Sequence, residues 1–61
     1  PMDQNLYLEI VEHYLKKADM QLTAEARAEA LRWCQARGQR SGRAAYQFSK
    51  HWIGSQQLNS L

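Results

Sequence analysis

The residues with the clearest chemical character sit together at Ser41-Gly42-Arg43. A serine just ahead of a helical run is an N-cap, its hydroxyl accepting from backbone N–H groups of the first turn. Arg43 is then the second residue of the helix, where the macrodipole presents partial positive charge. A guanidinium there is unfavourable by about 0.3–1 kcal/mol. Two accounts stay open. Arg43 points into water, where screening keeps the cost small, or an anion sits at the helix end. A phosphate would satisfy both the free N–H groups and the guanidinium, and Gly42 would let it approach closely. Arg43, Gln47 and Lys50 follow at i, i+4, i+7. They form one polar stripe, either a face that reads a ligand or a solvated one.

Other reactive side chains lack the spacing that chemistry needs. His13 and His51 fall on different helices, and no carboxylate lies near His51 in sequence. Metal-ligand spacing is missing, and both histidines read as surface residues. Glu9 and Glu12 share the polar side of the first helix, without the burial that separates the pKa values of a catalytic pair. Cys34 is the only cysteine, so no internal disulfide forms. It reads as a small buried apolar residue in a chain from a reducing compartment. No glycine loop of the form GxxxxGK[ST] is present. No catalytic residue and no metal ligand set is read from the chain.

Elements that position Arg43 must come from 61 residues, 44% of them hydrophobic. That content excludes global disorder. A domain of this size buries only about 60% of its unfolded surface, enough for one core and not for a catalytic cleft walled by it. A binding module, or a piece of something larger, is expected rather than a self-sufficient enzyme. No apolar run approaches the ~20 residues that span a bilayer, and Pro1-Met2-Asp3 does not open a signal peptide. A proline ahead of a methionine suggests an excised segment. The net charge of +2 is unevenly spread: acidic residues end at Glu29, and Arg32, Arg37, Arg40, Arg43 and Lys50 follow with no carboxylate side chain. That half needs an anion, a partner or solvent to face.

Hydrophobic periodicity predicts an all-α fold, a small bundle of three helices. The first covers Leu6 to Ala18, with Asp3 as its N-cap and Leu6, Tyr7, Ile10, Val11, Tyr14, Leu15 and Ala18 on one arc. Glu12 and Lys16 make a favourable i, i+4 pair. Asp19 to Leu22 breaks this helix. Thr23 caps the second, whose inner stripe is Ala26, Ala30, Trp33 and Cys34 with Leu31 at the margin, and Gly38 ends it. Small alanines there let another helix approach closely. Ser41 caps the third, with Ala44, Ala45, Phe48 and Trp52 inward and Gly54 as its stop. A domain at 1–54 is expected, then a tail at 55–61 that frays or adds a short turn docking through Leu58 and Leu61.

The segments Tyr7-Leu8-Glu9-Ile10-Val11, Leu22-Thr23-Ala24-Glu25-Ala26 and Ser41-Gly42-Arg43-Ala44-Ala45-Tyr46-Gln47-Phe48 resemble the C-terminal helical lid of AAA+ ATPases. The likeness is closest to a bacterial AAA+ group called domain of unknown function 815. In that group a segment similar to Pro1-Met2-Asp3-Gln4 leads from the nucleotide-binding subdomain into the lid. An Arg-Ser-Gly-Arg segment followed by Gln-Phe is similar to Arg40 through Phe48. The lid of the Holliday-junction branch-migration motor has a looser version of the layout. The likeness covers roughly Pro1 to Ile53 and is most specific at Arg40 to Phe48. It implies that Arg43 is a "sensor 2" arginine reaching ATP phosphate, with Ser41 and Gly42 beside it and Arg40 as the alternative if the helix begins earlier. Ile10 matches a lid position that often packs near the adenine. Where Tyr46 stands the family often has another basic residue, and AAA+ lids often carry a fourth helix, for which the tail leaves little room. The resemblance further implies ATP and magnesium in the parent protein, with no cofactor held by this piece alone. Its implied partners are a nucleotide-binding subdomain of the same chain and a homo-oligomeric ring, in the cytoplasm, with no membrane or nucleic-acid partner.

A nucleotide-sensing lid is therefore the first functional expectation. A three-helix nucleic-acid-binding domain of helix-turn-helix type comes second, because its third helix offers only Arg43, Gln47 and Lys50 where base readers place several such side chains. A protein-interaction module using Trp33, Trp52 and Tyr46 comes third.

Overall fold

A computed structural model describes residues 2–59 of the chain, the side chain of Asn59 excepted. Expectations for Leu61 lie outside the described residues. Three helices follow one another, α1 (Gln4–Lys17), α2 (Ala24–Arg37) and α3 (Gly42–Asn59), with no strand among the described residues. The three-helix, all-α architecture expected from the periodicity is the one observed.

Side-chain chemistry sets the helix ends. The Asp3 carboxylate accepts from the Asn5 N–H at 3.2 Å, and the Thr23 hydroxyl accepts from Ala26 N–H at 3.1 Å, so both caps act on orphan donors. Gly38 closes α2 at φ 68°, in the left-handed region that glycine enters without a Cβ penalty. The end of α1 uses the same geometry without a glycine. Asp19 takes φ 60°, Asp19 N–H donates to Lys16 O at 3.0 Å, and Met20 N–H reaches back to Leu15 O at 2.9 Å. That pair of bonds is a Schellman closure, and a short polar side chain such as aspartate tolerates it.

The core is drawn from all three helices: Tyr7, Leu8, Val11 and Leu15 from α1, Ala26, Ala30 and Cys34 from α2, and Ala44, Ala45 and Phe48 from α3. Paired alanines on α2 and α3 keep the backbones close, and the large side chains of α1 and Phe48 fill the space between. Three buried polar groups find partners inside. The Tyr7 hydroxyl donates to Ala30 O at 2.9 Å, the Ser49 hydroxyl to Ala45 O at 2.7 Å, and the Cys34 thiol to Leu31 O at 3.3 Å. Trp33 and Trp52 are only partly buried. Trp33 packs edge-on to Phe48 with ring centroids 5.9 Å apart, and its Nε1 is buried with no hydrogen-bond partner. Such an orphan costs about 1–3 kcal/mol, offset by aromatic contacts and by the Arg37 guanidinium 3.6 Å from the ring centroid.

Several details depart from the sequence reading. Leu6 is 47% exposed while Leu8 is buried, because α1 begins at Gln4 and its buried arc is centred on Tyr7 and Val11. Ser49 lies inside at 1% exposure, its hydroxyl satisfied by the preceding turn. Gly54 does not stop α3, which continues to Asn59; the extra turns extend α3 rather than form a fourth helix. Leu58 on that extension does not dock, being 71% exposed. Nor do Glu12 and Lys16 close an ion pair: among the described residues the one salt bridge is Glu29 with Arg32, on the surface of α2. No helix among the described residues is long and apolar enough to cross a membrane.

Two outcomes are expected. A Cβ at Gly54 would meet nothing within 4 Å, so Gly54→Ala stabilises the domain by about 0.5–1 kcal/mol, read as a higher urea midpoint. Burial raises the Tyr7 pKa to about 12, helped by nearby Cys34 and opposed by Arg37. The folded state therefore holds the Tyr7 proton above pH 10, where the unfolded chain releases it. Its contribution to stability is complete below pH 10 and is lost as pH rises towards 12. Tyr7→Phe lowers neutral-pH stability by about 1 kcal/mol and makes the alkaline fall in the urea midpoint shallower than in the wild type.

Candidate functional site

The start of α3 is built by the connector that enters it. After the left-handed turn at Gly38, Gln39 N–H donates to Cys34 O at 3.1 Å. Met2 N–H meets Arg40 O at 3.4 Å, which brings the approach to α1 against the approach to α3. Ser41 then caps α3 as its type suggests: its hydroxyl accepts from Ala44 N–H at 3.1 Å and its carbonyl from Ala45 N–H at 3.0 Å. Gly42 and Arg43, the first two residues of the helix, keep N–H groups with no acceptor among the described residues.

Arg43 is exposed and Arg40 half-buried. Neither pairs with a carboxylate among the described residues. Gly42 is open on its Cβ side, with no atom within 4 Å of where a methyl would stand. Two uncapped N–H groups, an unpaired guanidinium in the same turn and a second guanidinium three residues earlier suit an oxyanion. They supply no nucleophile and no general base, so the corner can hold or sense an anion and cannot by itself transform one. No group of three His, Cys, Asp or Glu side chains converges among the described residues.

Arg40 also faces a cleft of about 390 Å³ shared with Gln4, Leu31, Cys34, Gln35 and Gln39. Arg43 does not line it. The sequence-derived candidates therefore divide. Ser41, Gly42 and Arg43 form one corner, and Arg40 joins that corner to the amide-lined cleft. Ile10 is partly buried against the core on α1 and lines neither. Sequence reasoning missed Gln4, Gln35 and Gln39, which carry no periodic signal because two flank a cap or turn and one lies on the outer face of α2. It also missed the stacking of Arg37 on Trp33, although their i, i+4 spacing on α2 was there to be read.

Fold and corner together define a small all-α domain: a capped three-helix bundle whose third helix opens on an exposed arginine with no carboxylate partner among the described residues. The profile of the family described as "Protein of unknown function (DUF815)" matches residues 1–56, and the chain belongs to that family. The match bears out the group to which Arg40 through Phe48 was likened. No curated protein and no solved structure matches the chain. The family description names no activity, so a role in nucleotide chemistry is a proposal.

If the helix end lacks a resident anion, the Arg43 charge is a net cost there. Arg43→Glu is then expected to stabilise the 61-residue chain by about 0.3–1 kcal/mol, measured by urea unfolding at low ionic strength. The gain should shrink at high salt. An unchanged or lowered midpoint would mean that Arg43 already has a compensating partner in this chain.

Proposed function

We propose that the chain is the C-terminal lid of an AAA+ ATPase and that Arg43 is its sensor-2 arginine. The observation that carries this reading is the position of Arg43: exposed, unpaired and in the first turn of α3, beside two N–H groups without acceptors. A guanidinium kept at the positive end of a helix has a purpose if phosphate reaches it from another domain. Arg43 then contacts ATP phosphate, stabilises charge on the transferred group and couples nucleotide state to the angle of the lid. Ser41 fixes the helix start and Gly42 leaves the approach open. Arg40 is the second basic contact, and Ile10, by its match to the family's lid position, packs near the adenine.

The remaining parts of the reaction belong to the nucleotide-binding subdomain of the parent chain. A phosphate loop, a magnesium-binding carboxylate and a water-activating residue would lie there, and this domain contributes a charge and a hinge partner. Such a lid works in the cytoplasm within a homo-oligomeric ring, with ATP and magnesium bound between subdomains.

In the parent chain, Arg43→Ala should lower ATP hydrolysis by about 10²-fold or more while circular dichroism and nucleotide binding persist. Unchanged hydrolysis with nucleotide bound would overturn the assignment. The 61-residue chain alone should show no micromolar affinity for ATP by calorimetry, because one helix end and one or two arginines are too few contacts.

A further inference from the structure

A second feature lies at the other end of α3. Its last turns run alongside Trp33 and leave a groove of about 620 Å³, lined by Trp33, Gln47, Lys50, Gly54 and Leu58, with His51 beside them. Lys50 and His51 are exposed and pair with no carboxylate among the described residues. Among the described residues, no acidic side chain lines the groove. Leu58 stands 71% exposed at its end, and Gly54 presents open space where a side chain would otherwise fill it.

The surface also carries a knob of opposite character. Leu6, 47% exposed, is one of three exposed large apolar side chains among the described residues. Asp3 and Glu9, both exposed, flank it at i−3 and i+3. An apolar side chain between two carboxylates complements an apolar groove edged by the Lys50 ammonium, with the His51 ring lying against Trp33. One molecule cannot join the two. Leu6 lies in the first turn of α1, next to the start of α3 through the Met2–Arg40 bond, whereas Leu58 lies sixteen residues along α3 from Gly42, or about 24 Å.

We infer that the groove at Trp33 and Leu58 receives the Leu6 knob of a second copy of this chain. The contact is heterologous, head to tail, so each copy keeps one free knob or groove and association continues past the dimer. The contact centres on one apolar side chain with a few charges around it, so self-association is weak, on the order of 100 µM, and salt-sensitive.

Sedimentation of the 61-residue chain tests this from about 10 µM to about 1 mM, at about 20 mM and about 500 mM NaCl. The average mass should rise past the dimer at low salt, and the affinity should fall by about tenfold at high salt. Leu6→Lys removes the knob and Leu58→Glu closes the groove. Both are surface changes, so each variant should stay folded by circular dichroism and sediment as a monomer. Mixed together, they should give a 1:1 dimer that grows no further, since one groove and one knob remain. A wild-type chain that stays monomeric at about 1 mM overturns the inference and leaves the groove to a partner of different sequence. Self-association retained in either variant alone, or a mixture that stays monomeric, overturns it as well.

Discussion

The hydroxyl of Tyr7 crosses from α1 to the carbonyl of Ala30 on α2 in an interior where neither side chain meets water. The reach is short because α2 offers alanine at positions 26 and 30, and α3 offers alanine at 44 and 45. A larger residue at any of these would push a backbone outward and leave a buried phenol without its acceptor. The phenol also gives the interior a polar contact of defined direction, which alkyl packing lacks. In so small a domain that constraint decides much else. It helps set how α1 lies across α2, while the bond from Met2 N–H to Arg40 O ties the entry of α1 to the entry of α3.

Charge is arranged on the outside of this frame with little local compensation. Among the described residues one surface ion pair forms, within α2, and the Arg37 guanidinium lies on the Trp33 ring. Arg40, Arg43 and Lys50 are left without carboxylates among the described residues. The two ends of α3 differ in kind. At its start, fixed N–H dipoles and guanidinium groups offer a place for a compact anion. Towards its end, Lys50 and His51 border an apolar trough, a place for an aliphatic side chain with acidic neighbours. The two ends of one helix thus differ in chemistry and lie far apart.

Much of this was legible in the residues. Capping chemistry is local, so Asp3, Thr23, Gly38 and Ser41 announced their roles, and the position of Arg43 followed from Ser41. Small residues at helical spacing marked the inner faces of α2 and α3. What was not legible depended on tertiary packing. Leu6 and Leu8 are the same residue type two positions apart, and only the orientation of α1 on its neighbours decides which is covered. Gly54 reads as a stop because glycine is a poor helix former by about 1 kcal/mol, yet the hydrogen bonds of a helix already running through Trp52 and Ile53 outweigh that. Ser49 carries no apolar signal, and the carbonyl of Ala45 lets it go inside. The Arg40 cleft is assembled from the outer face of α2, a turn and a helix start, which no single periodicity connects.

The continuity of α3 through Gly54 has a mechanical consequence. Eighteen residues in one uninterrupted helix make a rod of about 27 Å, anchored near its first half by Ala44, Ala45 and Phe48. Trp52 and Ile53 still pack against the core, and beyond them Gln57 and Leu58 are exposed. Such a rod is a lever: a tilt of about 5° at the Arg43 end moves the Leu58 end by about 2 Å. A shift too small to disturb the alanine contacts would still separate one surface leucine from whatever it touches.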